Sequence, residues 1–216
     1  MKILCIDTSS KFCNVAILEN TKLIEKTQLN NGLTHSESLM PEINEILSKN
    51  NLKLKNIDLI VVDVGPGSFT GLRIGIATAK AFHDSLNIPT IGISSLDVLA
   101  YNIKENGLIC STIDCKNDNC YFALYELIND DLKLIEEPQA ESIQYVTNLL
   151  KNKYSNKKIN FVGDGIKDIK SNNYLDVENL GILGYKKYIN NNKKSEEILP
   201  MYLKKSQAER LLENKN

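Results

Sequence analysis

Two acidic strand tips and one glycine-rich loop are the places in this 216-residue chain where side chains could do chemistry. Asp7-Thr8-Ser9-Ser10 follows the apolar run Ile3–Ile6, and Asp114 ends a second such run, Leu108–Ile113. Asp7 and Asp114 could stand near Mg²⁺ or a nucleophilic water around a nucleotide, and the Thr8, Ser9 and Ser10 hydroxyls and N–H groups could hold a phosphate. The commoner origin of an Asp-Thr-Ser spelling is turn chemistry. The Cys115–Asn119 segment after Asp114 has no glycine for close phosphate approach, and Lys116 is its only cation, which argues against efficient ATP hydrolysis. Gly65-Pro66-Gly67-Ser68-Phe69-Thr70-Gly71 follows an apolar run and opens a helical pattern, so its N–H groups could receive an anion. It is neither a Walker A loop nor a dinucleotide fingerprint, lacking Gly-Lys-Ser/Thr and spaced GxGxxxG. A tight strand-to-helix turn is the plainer reading.

Other chemistries find no residues. His35 and His83 form no HxxxH pair and the five cysteines no CxxC pair, so no metal site is expected and the thiols should be reduced and mostly buried on strands. Ser68 has no GxSxG context. A formal charge of −1 lacks the footprint of an autonomous nucleic-acid binder. Lys186-Lys187 and Lys193-Lys194 around Asn190-Asn191-Asn192 read as a solvated loop, and Lys204, Lys205 and Arg210 are too few to grip RNA strongly. No apolar run is long enough for a membrane helix, and a cytoplasmic protein is expected.

The elements that would position these residues repeat. Periodicity predicts strands at Ile3–Asp7, Phe12–Leu18 and Leu23–Leu29, and a helix at 35–49 headed by the capping-box spelling Thr34-His35-Ser36-Glu37. Pro41 is expected to kink that helix or shift its start. A strand at Ile57–Val64, a helix at 70–86, a strand at Thr90–Ile93 and a helix at Ser95–Lys104 follow. The second half repeats the order, with strands at Leu108–Asp114, Cys120–Ile128 and Leu132–Glu137, a helix at Glu141–Lys151 and a strand at Ile159–Val162, then Gly163-Asp164-Gly165. A βββαβα unit duplicated into two lobes is the layout of the actin-like ATPase (ASKHA, ribonuclease H-like) superfamily. The expected division is residues 1–105 for the first lobe, 106–197 for a reduced second lobe, and 198–216 for a C-terminal helix packing back on the first.

The 70–86 helix carries Gly71, Gly75 and Ala79 at four-residue spacing, beside Leu72, Ile76 and Phe82. Small residues let another helix approach closely, and Ile74, Ala77 and Ala81 make this one apolar nearly all round. With Leu39, Met40 and Ile43 of the preceding helix, the predicted partner interface is Leu39, Met40, Ile43, Leu72, Gly75, Ile76, Ala79 and Phe82.

Ile6-Asp7-Thr8-Ser9, Thr34-His35-Ser36-Glu37 with Leu39-Met40-Pro41, and the run from Gly65 through Gly75 together resemble the bacterial TsaB (YeaZ) family. Gly92-Ile93-Ser94-Ser95-Leu96, Ile113-Asp114, Gly163-Asp164-Gly165 and Pro200-Met201-Tyr202-Leu203 extend the likeness over nearly the whole chain. The resemblance implies a non-catalytic accessory subunit in the threonylcarbamoylation of adenosine 37 in tRNAs reading codons that begin with A. It implies pairing with the TsaD catalytic paralogue through the first-lobe helices, joined by the TsaE ATPase, with tRNA met indirectly; separately, an exposed apolar helix pair would tend to self-pair, so a homodimer through the same helices is the expected partner-free form. No cofactor is implied for this chain; any weak ATP or ADP binding would involve Asp7, Ser9 and Asp114, or belong to partner subunits. Where the family usually follows the second-lobe Asp with Ala-Arg and a later Glu, this chain has Cys115-Lys116 and Asn119, losing the planar guanidinium. The alternative is an ATP-dependent transferase or phosphotransferase built around Asp7 and Asp114. The family's older peptidase label finds no nucleophile here.

Overall fold

A computed structural model describes residues 1–30, 32–166 and 174–204. The chain divides into two compact units, Met1–Val98 with Leu175–Met201, and the described residues of Leu99–Tyr174 and Tyr202–Asn216.

The first unit is a three-layer sandwich. Its sheet has the order β3-β2-β1-β4-β5, from β1 (Lys2–Asp7), β2 (Cys13–Glu19), β3 (Lys22–Leu29), β4 (Leu59–Gly65) and β5 (Thr90–Ser94). β1 to β3 form an antiparallel meander, and β4 and β5 join in parallel. β1 and β2 are apolar on both sides because both faces are covered. Helices α1 (His35–Lys49) and α2 (Phe69–Leu86) cover the face formed by Leu4, Ile6, Val15, Ile17, Ile60 and Val62. Thr34 sets the start of α1, its N–H donating to Glu37 Oε2 at 2.9 Å. Pro41 sits inside the helix on its solvent side and does not move that start. The helix after β5, α3 (Ser95–Ala100), is shorter than its apolar pattern suggests, the chain passing into turns at Asn102 and Ile103.

Two features of this unit depart from the sequence reading. Residues 175–197, counted there with the second half, pack with the first. They contain α5 (Val177–Asn190), whose Val177, Leu180 and Tyr188 bury against Ile3, Cys5, Leu18, Val61 and Ile91 on the other sheet face. A Cβ on Gly184 would lie 2.4 Å from the Val61 methyls, so the helix rests almost directly on the sheet. Asp176 caps α5, and Lys26 of β3 reaches its carboxylate at 2.8 Å and that of Glu178 at 3.1 Å. Lys186 and Lys187 are therefore helical, not loop residues, and Lys187 Nζ donates to the Gly92 carbonyl at 3.1 Å. The second departure is the segment from Ser195 to Met201, an extended strap that takes in the first residues, 198–201, of the predicted C-terminal helix. It is fixed along β5 and β4 by Glu196 N–H to Thr90 O (3.0 Å), buried Ile198, and Met201 N–H to Val64 O (2.7 Å). The strap does pack on the first unit; the rest of the predicted C-terminal helix, 205–216, lies outside the described residues.

The second unit repeats the meander in β6 (Gly107–Asp114), β7 (Asn119–Ile128) and β8 (Asp131–Ser142), followed by α4 (Ile143–Lys153) and β9 (Ile159–Gly163). Its sheet order is β8-β7-β6-β9, with β9 parallel to β6. Val146 and Leu150 of α4 close a core of Leu108, Cys110, Cys120, Phe122 and Leu124. The duplicated βββαβ layout is present, and the second copy is reduced among the described residues. The five cysteines are free thiols, all but Cys115 buried on strands. No helix among the described residues is long and apolar enough to cross a membrane.

Candidate functional site

At the tip of β1, Asp7 is 1% exposed and closes its own turn. Its Oδ1 accepts from Ser9 N–H at 2.8 Å and Ser9 Oγ–H at 2.6 Å, and its Oδ2 accepts from Asn14 Nδ2 at 2.7 Å. Burial raises its pKa, and the bonds from Ser9 and Asn14 and the nearby His35 oppose that rise. The hydroxyls are engaged too: Thr8 Oγ1 donates to Gly71 O at 2.7 Å, and Ser10 Oγ accepts from Phe12 N–H at 3.2 Å. A phosphate bound at this turn would have to displace these bonds. The turn chemistry and the ligand chemistry weighed for Asp-Thr-Ser thus draw on the same atoms, and within this unit the turn holds them.

The residue that periodicity does not single out is Asp63. It stands beside Asp7 because β1 and β4 run parallel with Ile6 opposite Val62. Its Oδ1 accepts from Gly65 N–H (2.7 Å) and Ser95 Oγ–H (2.6 Å), while buried Oδ2 has no partner among the described residues. Burial first, then the charge of Asp7, holds its pKa well above the usual carboxylate range. The signal available in sequence was a lone carboxylate inside Leu59–Gly65, level with Asp7. Among the described residues no group of three acidic, Cys or His side chains could hold a metal.

A raised folded-state pKa means that the folded chain keeps the Asp63 proton to higher pH than the unfolded chain does. The stability this contributes is fully present below about pH 4, the ordinary aspartate value, and is lost as pH rises through the folded value. Asp63→Asn should remove that loss, gaining about 1–3 kcal/mol on the wild type as pH goes from about 5 to 8. Urea midpoints across a pH series measure it; a wild-type-to-variant difference constant with pH would contradict a protonated Asp63.

The glycine loop exists to admit the Asp7 turn. Ser68 caps α2, its Oγ accepting from Gly71 N–H at 3.2 Å. A Cβ on Gly71 would fall 2.0 Å from Thr8 O, and one on Gly75 2.5 Å from Thr8 Oγ1. The face of α2 that carries Gly71 and Gly75 therefore packs on the end of β1 and its turn, with His35 of α1 alongside Gly71, and that close approach explains its small residues.

The predicted partner interface is corrected by the same packing. Leu39, Ile43, Leu72, Gly75, Ile76, Ala79 and Phe82 are buried in this unit's own core, and of the residues named only Met40 is exposed, at 41%. What α1 and α2 show to solvent includes Met40, Pro41, Asn44, Glu45 and Lys49 on α1, and Arg73, Ala77, Ala81 and Asp84 on α2, with Ile74 and Thr78 half-buried.

In the second unit, Asp114 ends β6 and bonds its own turn, Oδ1 accepting from Lys116 N–H (2.9 Å) and Oδ2 from Lys116 Nζ (2.7 Å). Lys116, Asn117 and Asp118 are all left-handed, with φ of 69°, 56° and 54°. The Lys that stands where the family has Arg is thus tied to Asp114. Asn119 Nδ2 donates to the Asn117 carbonyl at 2.6 Å, bracing the turn.

Comparison with known proteins gives a consistent result. Residues 31–182 match the family profile of TsaD, tRNA N6-adenosine threonylcarbamoyltransferase. The chain is 33% identical over 217 residues to the tRNA threonylcarbamoyladenosine biosynthesis protein TsaB of Buchnera aphidicola subsp. Schizaphis graminum, covering 97% of each. It is 34% identical over 154 residues to TsaB of Bacillus subtilis, covering 71% of this chain and 67% of that relative. Among solved structures, YeaZ from Pseudomonas aeruginosa superposes with a TM-score of 0.77 at 22% identity, over 94% of this chain and 99% of that one. That likeness shows the fold, α/β of the actin-like ATPase type.

Proposed function

This chain belongs to the TsaB (YeaZ) family, and on that premise we propose that it is the non-catalytic scaffold of a threonylcarbamoyl transfer complex. Its place in tRNA N6-threonylcarbamoyladenosine biosynthesis follows from the family. The finer reading is that the outer face of α1 and α2 packs against a TsaD-like catalytic subunit and holds it in its active form. A TsaE-like ATPase joins the pair, and tRNA is met through the complex and not by this chain alone. No cofactor is required of this chain; ATP or ADP belongs to the partner subunits. The same face would support a homodimer when the partner is absent. The site of action is the cytoplasm, where tRNA is modified.

The observation that carries this reading is the solvent exposure of Ala77 and Ala81 on α2 and of Met40 on α1, the two alanines being small side chains over which a facing helix can come close. In support, the carboxylate and hydroxyls of the Asp7 turn are spent on that turn. The test is sedimentation of this chain with the TsaD-like subunit of the same cell, alongside activity of the chain alone. A 1:1 complex, with no ATP hydrolysis or transfer by the isolated chain, is expected. Turnover by the isolated chain that disappears in Asp7→Asn would replace the scaffold with the transferase alternative.

A further inference from the structure

The turn that follows Asp7 is bonded to both helices of the outer face. Thr8 Oγ1 donates to Gly71 O in the first turn of α2, and Ser9 O accepts from Ser68 N–H at the cap of that helix, both at 2.7 Å. Ser10 O meets the other helix, lying 2.8 Å from Nε2 of His35, the first residue of α1. A carbonyl oxygen only accepts, so Nε2 carries the ring proton and donates it. The same half-buried ring lies against α2, its Cδ2 3.1 Å from the position of a Cβ on Gly71. His35 is therefore where α1, the Asp7 turn and α2 converge. Both pieces that its bond joins are already fixed. On the turn side, Ser9 N–H and Oγ–H bind Asp7 Oδ1. On the helix side, Thr34 N–H and Oγ1–H donate to Glu37 Oε2 at 2.9 and 2.6 Å, and Ser38 Oγ donates to Thr34 O at 2.9 Å. The first turn of α1 and the ring thus move together.

We infer that His35 is a positioning residue for partner capture: its Nε2–H bond to Ser10 O seats α1 relative to α2, so that Met40 on one helix and Ala77 and Ala81 on the other stand in a fixed relation on the face offered to the TsaD-like subunit. This role presupposes the scaffold reading and names the residue that prepares its surface. The apolar contacts of Leu39 and Ile43 with the core that Leu72 and Ile76 share hold α1 down, but apolar attraction is non-directional. A hydrogen bond with a preferred distance and angle, placed at the end of the helix, fixes its slide and tilt. Met40 follows His35 by five residues, about 7.5 Å along the helix axis, so a shift at the first turn reaches it. What His35 supplies is an N–H at a set reach, since the neutral ring with its proton on Nε2 donates this bond as the imidazolium does. The competing role is electrostatic, because a charged ring here also lowers the pKa of Asp7. Glutamine separates the two: its amide N–H has a similar reach and no charge.

His35→Leu and His35→Gln test this in the full chain. Amide exchange at residues 38–40 is read in the free protein, and binding of the TsaD-like subunit by calorimetry on the same preparations. His35→Leu should speed exchange there at least about fivefold and weaken binding at least about tenfold, with a melting temperature no more than about 4 °C below wild type. His35→Gln should return both to within about twofold of wild type. His35→Asn, whose amide is one methylene short of Ser10 O, should behave as His35→Leu does, which guards against a packing fault peculiar to leucine. Wild-type affinity in both His35→Leu and His35→Asn, or wild-type exchange at residues 38–40 in both, overturns the assignment. So does His35→Gln binding as weakly as His35→Leu, which would make the ring's charge beside Asp7 the working feature. A wild-type chain that does not bind the TsaD-like subunit overturns the scaffold reading itself, and the role of His35 falls with it.

Discussion

Gly163→Ala should cost at least about 3 kcal/mol, a drop of roughly 6–12 °C in melting temperature for a chain of this size. Gly163 ends β9 at φ +96°, and a Cβ there would lie 1.8 Å from the carbonyl oxygen of Thr112, its register partner in β6. Two penalties add. The left-handed backbone alone costs an alanine about 1–2 kcal/mol, and the clash must be relieved by pulling β9 off β6. Gly107→Ala separates the two, because Gly107 has φ +133° but nothing within 4 Å of its Cβ position; its loss should be the backbone cost only. Gly71→Ala makes the same point where propensity points the other way. Alanine in a helix is favoured over glycine by about 1 kcal/mol, yet the Cβ would stand 2.0 Å from Thr8 O, a backbone atom that cannot swing away. The clash wins, and net destabilisation of about 2–3 kcal/mol is expected. Thermal denaturation of the variants checks the series; Gly71→Ala as stable as wild type would mean that α2 is not seated on the Asp7 turn.

The second large effect concerns pairing. Ala77→Arg places a long charged side chain on the exposed face of α2. It should weaken binding of the TsaD-like subunit at least about 100-fold, since a close helix contact has no room for it, while shifting stability by no more than about 0.5 kcal/mol. Leu72→Asp is the instructive contrast. Leu72 is 1% exposed and belongs to the first core. Replacing it with a carboxylate costs more than about 4 kcal/mol, a large part of the stability of a domain this size. Loss of pairing in that variant reports unfolding. Calorimetry of binding, with circular dichroism of each variant, distinguishes the two; retained affinity in Ala77→Arg would place the contact elsewhere.

Why the sequence marks the buried faces of α1 and α2 as an interface is a matter of what periodicity measures. Apolar spacing marks both sides of α2, because Leu72, Ile76 and Phe82 fill the core while Ile74, Ala77 and Ala81 lie across the axis. Burial separates them and hydrophobicity does not: Leu72, Ile76, Ala79 and Phe82 go inward, Ala77 and Ala81 outward, Ile74 is half-buried, and Gly71 and Gly75 face β1 and its turn. The repeated meander, the α1 cap and the strand-to-helix glycine loop are legible because local rules dictate them. α5 is not, since its glycines depress helix propensity and its Lys- and Asn-rich end reads as loop; Gly181 and Gly184 are there to meet Cys5, Leu18 and Val61, far away in sequence. Asp63 is hidden for the same reason, its significance lying in the cross-strand neighbour Asp7.

The most direct measurement is threonylcarbamoyl transfer to tRNA in a reconstituted mixture containing the threonylcarbamoyl-adenylate synthase, the TsaD-like subunit, the TsaE-like ATPase and this chain as wild type, Ala77→Arg or Asp7→Asn. A scaffold acting through the outer face of α1 and α2 predicts full transfer with wild type, transfer in proportion to the folded fraction with Asp7→Asn, and none with folded Ala77→Arg. Transfer sustained by Ala77→Arg but abolished in folded, partner-bound Asp7→Asn would contradict it and make the Asp7 turn the working part.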